Sequence, residues 1–257
     1  MEDDDEEVYV DGNQPTIYVR KTRFTTARGA YTNLTYRTHF EKVPFGPFLP
    51  NLGWGNNVGL LLVVTLNDTG QPVLFTTAHT CGCYLAIVPT SYLQADAFPK
   101  GWDKKRQKVY GESLPGLIDY AEGSPTYFRL MVLLRDRTHR IMDMWLTDSR
   151  AHSRYELVGA PIKPLKVLEG LSLPGGDSTS FYETSGPRQD YVKNSQKPWE
   201  RLLMSWWALD WRVGEDKKLG RDREDGIPFY TSLKPWARTA SDMRNFPVFL
   251  QYWGWNL

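Results

Sequence analysis

His79, Cys81 and Cys83 fall at every second position, and they hold both thiols of the chain and one of its four imidazoles. Side chains on a β-strand alternate between its two faces, so residues two apart share a face. A strand running on past His79 would read Val73, Phe75, Thr77, His79, Cys81, Cys83, Leu85 and Ile87 along one side. This row predicts a His-x-Cys-x-Cys cluster set in a largely apolar surface. Imidazole nitrogen and thiolate sulfur are the side-chain donors preferred by zinc, copper and iron. Two thiolates and one imidazole leave a coordination position open, as a catalytic or sensing metal site requires. Gly82 would permit a bulge that turns both sulfurs toward one ion. The leading expectation is therefore a metal- or metallocofactor-binding protein using His79, Cys81 and Cys83.

Two other chemistries suit the same residues. Closely spaced thiols exchange with disulfides, which makes Cys81 and Cys83 a candidate redox pair, although a ring closed across one residue is strained. Free cysteine is also a small, commonly buried hydrophobe, so both could be inert core. The remaining imidazoles decide little. His139 is placed at a hairpin turn and His152 in the loop after it, and either reaches the cysteines if the two hairpins of the chain face one another. We therefore count both as candidate metal ligands. His39 falls in a strand.

A different class of function, a non-enzymatic binding module, is suggested by Phe45, Phe48 and Trp54 in a loop rich in proline and glycine. Exposed aromatics there would hold a sugar, lipid or protein partner. The second aromatic concentration, Trp206, Trp207 and Trp211, lies on a helical pattern. Leu202, Trp206, Leu209 and Val213 recur at spacings of four, three and four, which predicts a stripe packed into the core. Asp210, Glu215 and Asp216 lie too close together for a glycosidase pair and sit among Lys217, Lys218, Arg221 and Arg223, as in a solvated charge-balanced loop. The chain has no phosphate-binding glycine loop, Gly-x-Ser-x-Gly elbow, His-Glu-x-x-His pair or EF-hand spacing, so no nucleotide cofactor is indicated.

These residues need elements to position them. Period-two patterns with flanking turn residues predict strands over 7–10, 16–24 and 34–43. A hairpin over 58–67 and 72–79 turns at 68–71, and a second over 127–135 and 140–146 turns at 136–139. Helical signals come late. Pro198 suits a first helical position, Pro235 opens a second segment through Met243, and Asn245 with Pro247 starts a third that ends at Gly254. Strands first and helices afterwards predict an α+β fold: a mainly antiparallel sheet built around two hairpins, with Trp-rich C-terminal helices packed on one face or end. The organisation expected is an acidic mobile tail over 1–7 and a single domain over 8–257, β-rich over 8–170 and mainly helical over 196–257.

A chain of 257 residues can bury a core without disulfides. Its 31 basic and 30 acidic side chains almost cancel, so no global field draws it to nucleic acid. No apolar run is long enough to span a bilayer. The expected partner is a small molecule or a protein. A native start at Met1 predicts a cytoplasmic protein, and a removed leader predicts a periplasmic or secreted one.

Overall fold

A computed structural model describes residues 8–46, 51–120, 129–147 and 156–257. Strands β1 (Ile17–Thr26) and β2 (Gly29–His39) come first, followed by the short pair β3 (Lys42–Val43) and β4 (Gly55–Asn56). Next are β5 (Gly59–Leu66), β6 (Pro72–His79) and β7 (Ala86–Pro89). Two further hairpins pair β8 (Arg106–Val109) with β9 (Glu112–Pro115), and β10 (Arg129–Leu134) with β11 (Ile141–Thr147). After β12 (Ile162–Pro164) come the short strands β13 (Leu171–Ser172) and β14 (Ser178–Thr179) and the helices α1 (Pro198–Ala208) and α2 (Phe246–Tyr252).

The main sheet has six strands in the order β12, β1, β2, β5, β6, β7, and every pairing is antiparallel except that of β12 with β1. The α+β class and both predicted hairpins are present. The second hairpin nevertheless forms a sheet of its own instead of extending the first. Asn67 closes the first hairpin by accepting the backbone N–H of Gln71 on its side-chain oxygen at 2.8 Å.

Both faces of β6 are buried. On one side Leu61, Val63, Leu74 and Ala78 pack against Phe246, Phe249, Leu250 and Trp255 from the C-terminal segment. On the other, Leu60 and Phe75 meet Leu114, Ile141 and Met144 from the two separate hairpins. His79, at the end of β6, therefore lies between the main sheet and the second hairpin.

Several expectations change. The segment 8–10 is not a strand; it is tied down by Asn57, which bonds the Val8 carbonyl and the Val10 amide. The region from 196 onward holds two helices separated by long irregular stretches, and Pro235 opens only a 3-10 turn over Pro235–Ala237. Helix α1 starts at Pro198 as expected but presents the opposite face: Glu200, Ser205 and Ala208 are buried, whereas Leu202, Trp206 and, just past the helix end, Leu209 are exposed; Val213, the last residue of the expected stripe, is buried. The spacing was that of a stripe, and a stripe does not say which side meets the protein. The inner side is occupied by a polar network instead. The acidic segment 1–7, Phe48 and His152 lie outside the described residues.

Candidate functional site

The strand carrying His79 does not continue to the cysteines. The Gly82 N–H bonds the His79 carbonyl at 2.8 Å, and the His79 N–H bonds the Cys83 carbonyl at 2.9 Å, closing a tight turn. The expected shared strand face is thereby corrected. Residue 82 has φ +92, a conformation that favours glycine, and a Cβ there would collide with the Tyr230 carbonyl. Gly82 thus serves as a turn glycine pressed against a neighbouring segment.

The turn brings the two sulfurs together and leaves the imidazole elsewhere. Cys81 is buried and Cys83 half-buried, and neither is in a disulfide. The Cys81 sulfur accepts the Cys83 backbone N–H at 3.4 Å. His79 sits edge-on to Tyr84 with ring centroids 4.7 Å apart. Its Nε2 has no partner. Burial, followed by the charge of Lys197, lowers its pKa to about 3, so the ring is neutral. Among the described residues no group of three or more His, Cys, Asp or Glu side chains is arranged to hold one metal ion.

His139 stacks on Phe40 at 4.0 Å and meets the Lys42 carbonyl at 3.1 Å. His39 is structural: Arg37 donates to its Nε2 at 2.7 Å, which leaves Nδ1–H to donate to the Asn57 carbonyl at 2.8 Å. That tautomer is consistent with a pKa held well below the ordinary value by burial and Arg37. His152 falls outside the described residues.

A buried polar network that spacing did not reveal surrounds the cysteine turn. Thr80 bonds the Asp216 carboxylate, which also accepts the Gly59 N–H at 3.2 Å and pairs with Lys197 at 3.0 Å. Lys197 is 2 % exposed and Asp216 0 %, so this ion pair is fully desolvated. Lys217 donates its Nζ to the Cys81 carbonyl at 3.3 Å and lies 3.9 Å above the Tyr230 ring, whose hydroxyl bonds Asp210. Glu200, from α1, is buried with one carboxylate oxygen unpartnered. The Asp210, Glu215 and Asp216 segment is therefore not a solvated loop. Its carboxylates are anchored inside, and the linear pattern of alternating charge conceals that.

No family model, curated protein or solved structure matches the chain. The chemistry therefore has to be read from the site itself.

The electrostatics favour one sulfur over the other. The hydrogen bond from Cys83 lowers the Cys81 pKa against the opposing effect of burial, and Lys197 adds to the lowering. Cys83 is raised well above its usual value, first by that same bond and then by burial. Burial also raises Glu200 toward its neutral form. Burial pulls Lys197 down, but the charges of Asp216 and Cys81 outweigh it and keep it protonated. Lys197 favours a thiolate at Cys81, and the carboxylates of Glu200 and Asp216 oppose it.

Proposed function

We propose that the chain is a thiol–disulfide redox protein using Cys81 and Cys83. The observation carrying this reading is the sulfur pair itself: one tight turn holds both thiols, and the Cys83 N–H points to the Cys81 sulfur at 3.4 Å, where it supports a thiolate. A pair that shares one proton can place the negative charge on either sulfur. Cys83 is the more accessible of the two. Cys81, the favoured thiolate, takes the thiol proton of Cys83, whose sulfur attacks a partner disulfide, forming a mixed disulfide and releasing one thiolate. Cys81 then gives up its proton and attacks the Cys83 sulfur, releasing the second thiolate. The chain loses two electrons and the one shared proton, and the partner leaves as one thiol and one thiolate; counted from the fully protonated dithiol, two protons go and the partner becomes two thiols.

The test is equilibration with glutathione buffers of graded potential, followed by mass analysis of alkylated protein. A reversible loss of two alkylation sites, mapped to Cys81 and Cys83, is expected. Alkylation that never changes would overturn the reading.

Zinc, copper or iron on the same sulfurs is the neighbouring proposal, and the unpartnered Nε2 of His79 is its support. Metal analysis of protein purified without added metal separates the two: one equivalent, lost in Cys81→Ser, favours the ion.

A second reading rests on a separate observation. Trp206 is 73 % and Trp236 81 % exposed, and Leu202, Leu209 and Trp211 are exposed with them. Phe45 and Trp54, also exposed, make an edge-on pair whose neighbour is Trp199 at the start of α1. Large aromatic side chains exposed to this degree are candidates for a contact site. The surface would hold an apolar protein, lipid or sugar partner, as the aromatic loop suggested. No helix among the described residues is long and apolar enough to cross a membrane. Blue-shifted tryptophan fluorescence with phosphatidylcholine–phosphatidylglycerol vesicles, abolished by Trp206→Ser with Trp236→Ser, would identify the partner as lipid.

A further inference from the structure

A cleft of about 520 Å³ lies on the opposite side of β2 from the second hairpin, between the sheet and the C-terminal segment. This size is ordinary for a small-molecule site. Its floor is set by register. Arg20 pairs with Thr35 and Thr22 with Asn33 across β1 and β2, so all four project from one face. Further along that face the sheet is apolar and covered by α2. Here it is polar.

Asn33 is 4 % and Thr35 3 % exposed, and both line the cleft. Asn33 accepts a hydrogen bond from Thr65 at 2.8 Å, but its amide nitrogen has no partner among the described residues, nor has the Thr35 hydroxyl. The residues are buried but these two groups open onto the cleft, where a ligand's acceptors can take their hydrogen bonds. Arg20 adds charge. It gives one N–H to each of the Leu219 and Gly220 carbonyls at 2.8 Å, and its Nε is unpartnered. A guanidinium has five N–H donors; with Nε enclosed, the second N–H of each terminal nitrogen remains uncommitted. No carboxylate lies within ion-pair distance of Arg20 or of Arg223 at the rim among the described residues. The other lining arginines are Arg23, Arg221 and Arg244, against the carboxylates of Asp222 and Glu224. Arg221 and Arg244 are paired with Asp225 and Asp242, and Asp222 accepts the backbone amides of Glu224 and Asp225.

We propose that this cleft binds a small molecule through a phosphate or carboxylate group, held by Arg20, Asn33 and Thr35 with Arg223 at the entrance. Arginine forks and neutral donors together suit oxyanions, and the apolar wall of Phe24, Val63 and Met243 leaves room for an uncharged body. This site is independent of the cysteine chemistry.

The test is calorimetric titration of the full chain with inorganic phosphate, pyrophosphate and citrate at constant ionic strength. Saturable one-to-one binding of at least one is expected. Pyrophosphate as the tightest would assign a phosphoryl ligand, and citrate a carboxylate one. Asn33→Asp keeps the shape and places a negative charge on the floor, so affinity should fall by about tenfold or more, the equivalent of about 1.4 kcal/mol. Arg223→Glu, at an exposed position, should do the same and carries the test if Asn33→Asp fails to fold. Arg28→Gln, whose arginine pairs with Asp96 outside the cleft, should leave binding unchanged. No saturable binding, or binding indifferent to both Asn33→Asp and Arg223→Glu, would overturn the proposal.

Discussion

Lys197 and Asp216 form an ion pair at 3.0 Å with neither side chain meaningfully exposed, directly behind the turn that carries Cys81 and Cys83. Asp216 reaches that turn through Thr80, and Lys197 reaches it through its field on the Cys81 sulfur. The pair thus joins the stability of the fold to the reactivity of the thiol.

Removing one partner leaves an uncompensated buried charge, a loss of about 3 to 5 kcal/mol. Lys197→Met and Asp216→Asn should each lower unfolding free energy by that order in urea titrations. Lys197→Met should also shift the pH profile of iodoacetamide reaction at Cys81 upward, since the cation that favours the thiolate is gone. A stable variant with an unmoved profile would separate Lys197 from the sulfur.

Gly82→Ala should destabilise the chain by more than the roughly 1 kcal/mol usual for a left-handed position, because its Cβ also meets the Tyr230 carbonyl. Denaturant midpoints measure this. A change below 0.5 kcal/mol, roughly the span of a neutral surface substitution, would contradict the geometry of the turn.

The neutral His79 makes stability depend on pH. Its native pKa of about 3 lies below the ordinary 6.5, so the unfolded chain takes up a proton that the folded chain refuses. Stability is full above pH 6.5 and falls as pH drops toward 3, at about 1.4 kcal/mol per unit. Between pH 7.5 and 4.5 the wild type should lose about 2 to 3 kcal/mol more than His79→Gln, by urea unfolding at each pH. Equal losses would mean that the imidazole is accessible to protons.

Trp206→Ser tests the orientation of α1. An exposed tryptophan costs little to remove, within about 0.5 kcal/mol, whereas a core tryptophan costs about 3 to 5. Thermal unfolding should therefore barely change.

The orientation of α1 also shows what linear pattern conveys and where it stops. The hairpins were legible because turn residues such as Asn67 and Gly70 act locally, on strands only a few residues away. Pro198 and Asn245 marked helix starts for the same reason. Which side of α1 faces inward depends on Lys197, Asp216 and Thr80, residues brought together across 136 positions of chain in the case of the Thr80 bond. Likewise His79, Cys81 and Cys83 were visible as neighbours, but a strand and a tight turn place alternate residues differently. Gly82, which the sequence allowed as a bulge, is instead the left-handed residue of that turn. The arginine-lined cleft was not visible at all, since Thr35 fell within the strand read over 34–43 and Asn33 just before it, with nothing to mark either as lining a cavity.

The most direct measurement is the redox state of Cys81 and Cys83 across glutathione buffers, read by alkylation and peptide mass analysis. The account predicts a single reversible two-electron transition ending in a Cys81–Cys83 disulfide, absent in Cys81→Ser and in Cys83→Ser. Two thiols that stay reduced at every potential, or sulfurs that pair only between molecules, would contradict it.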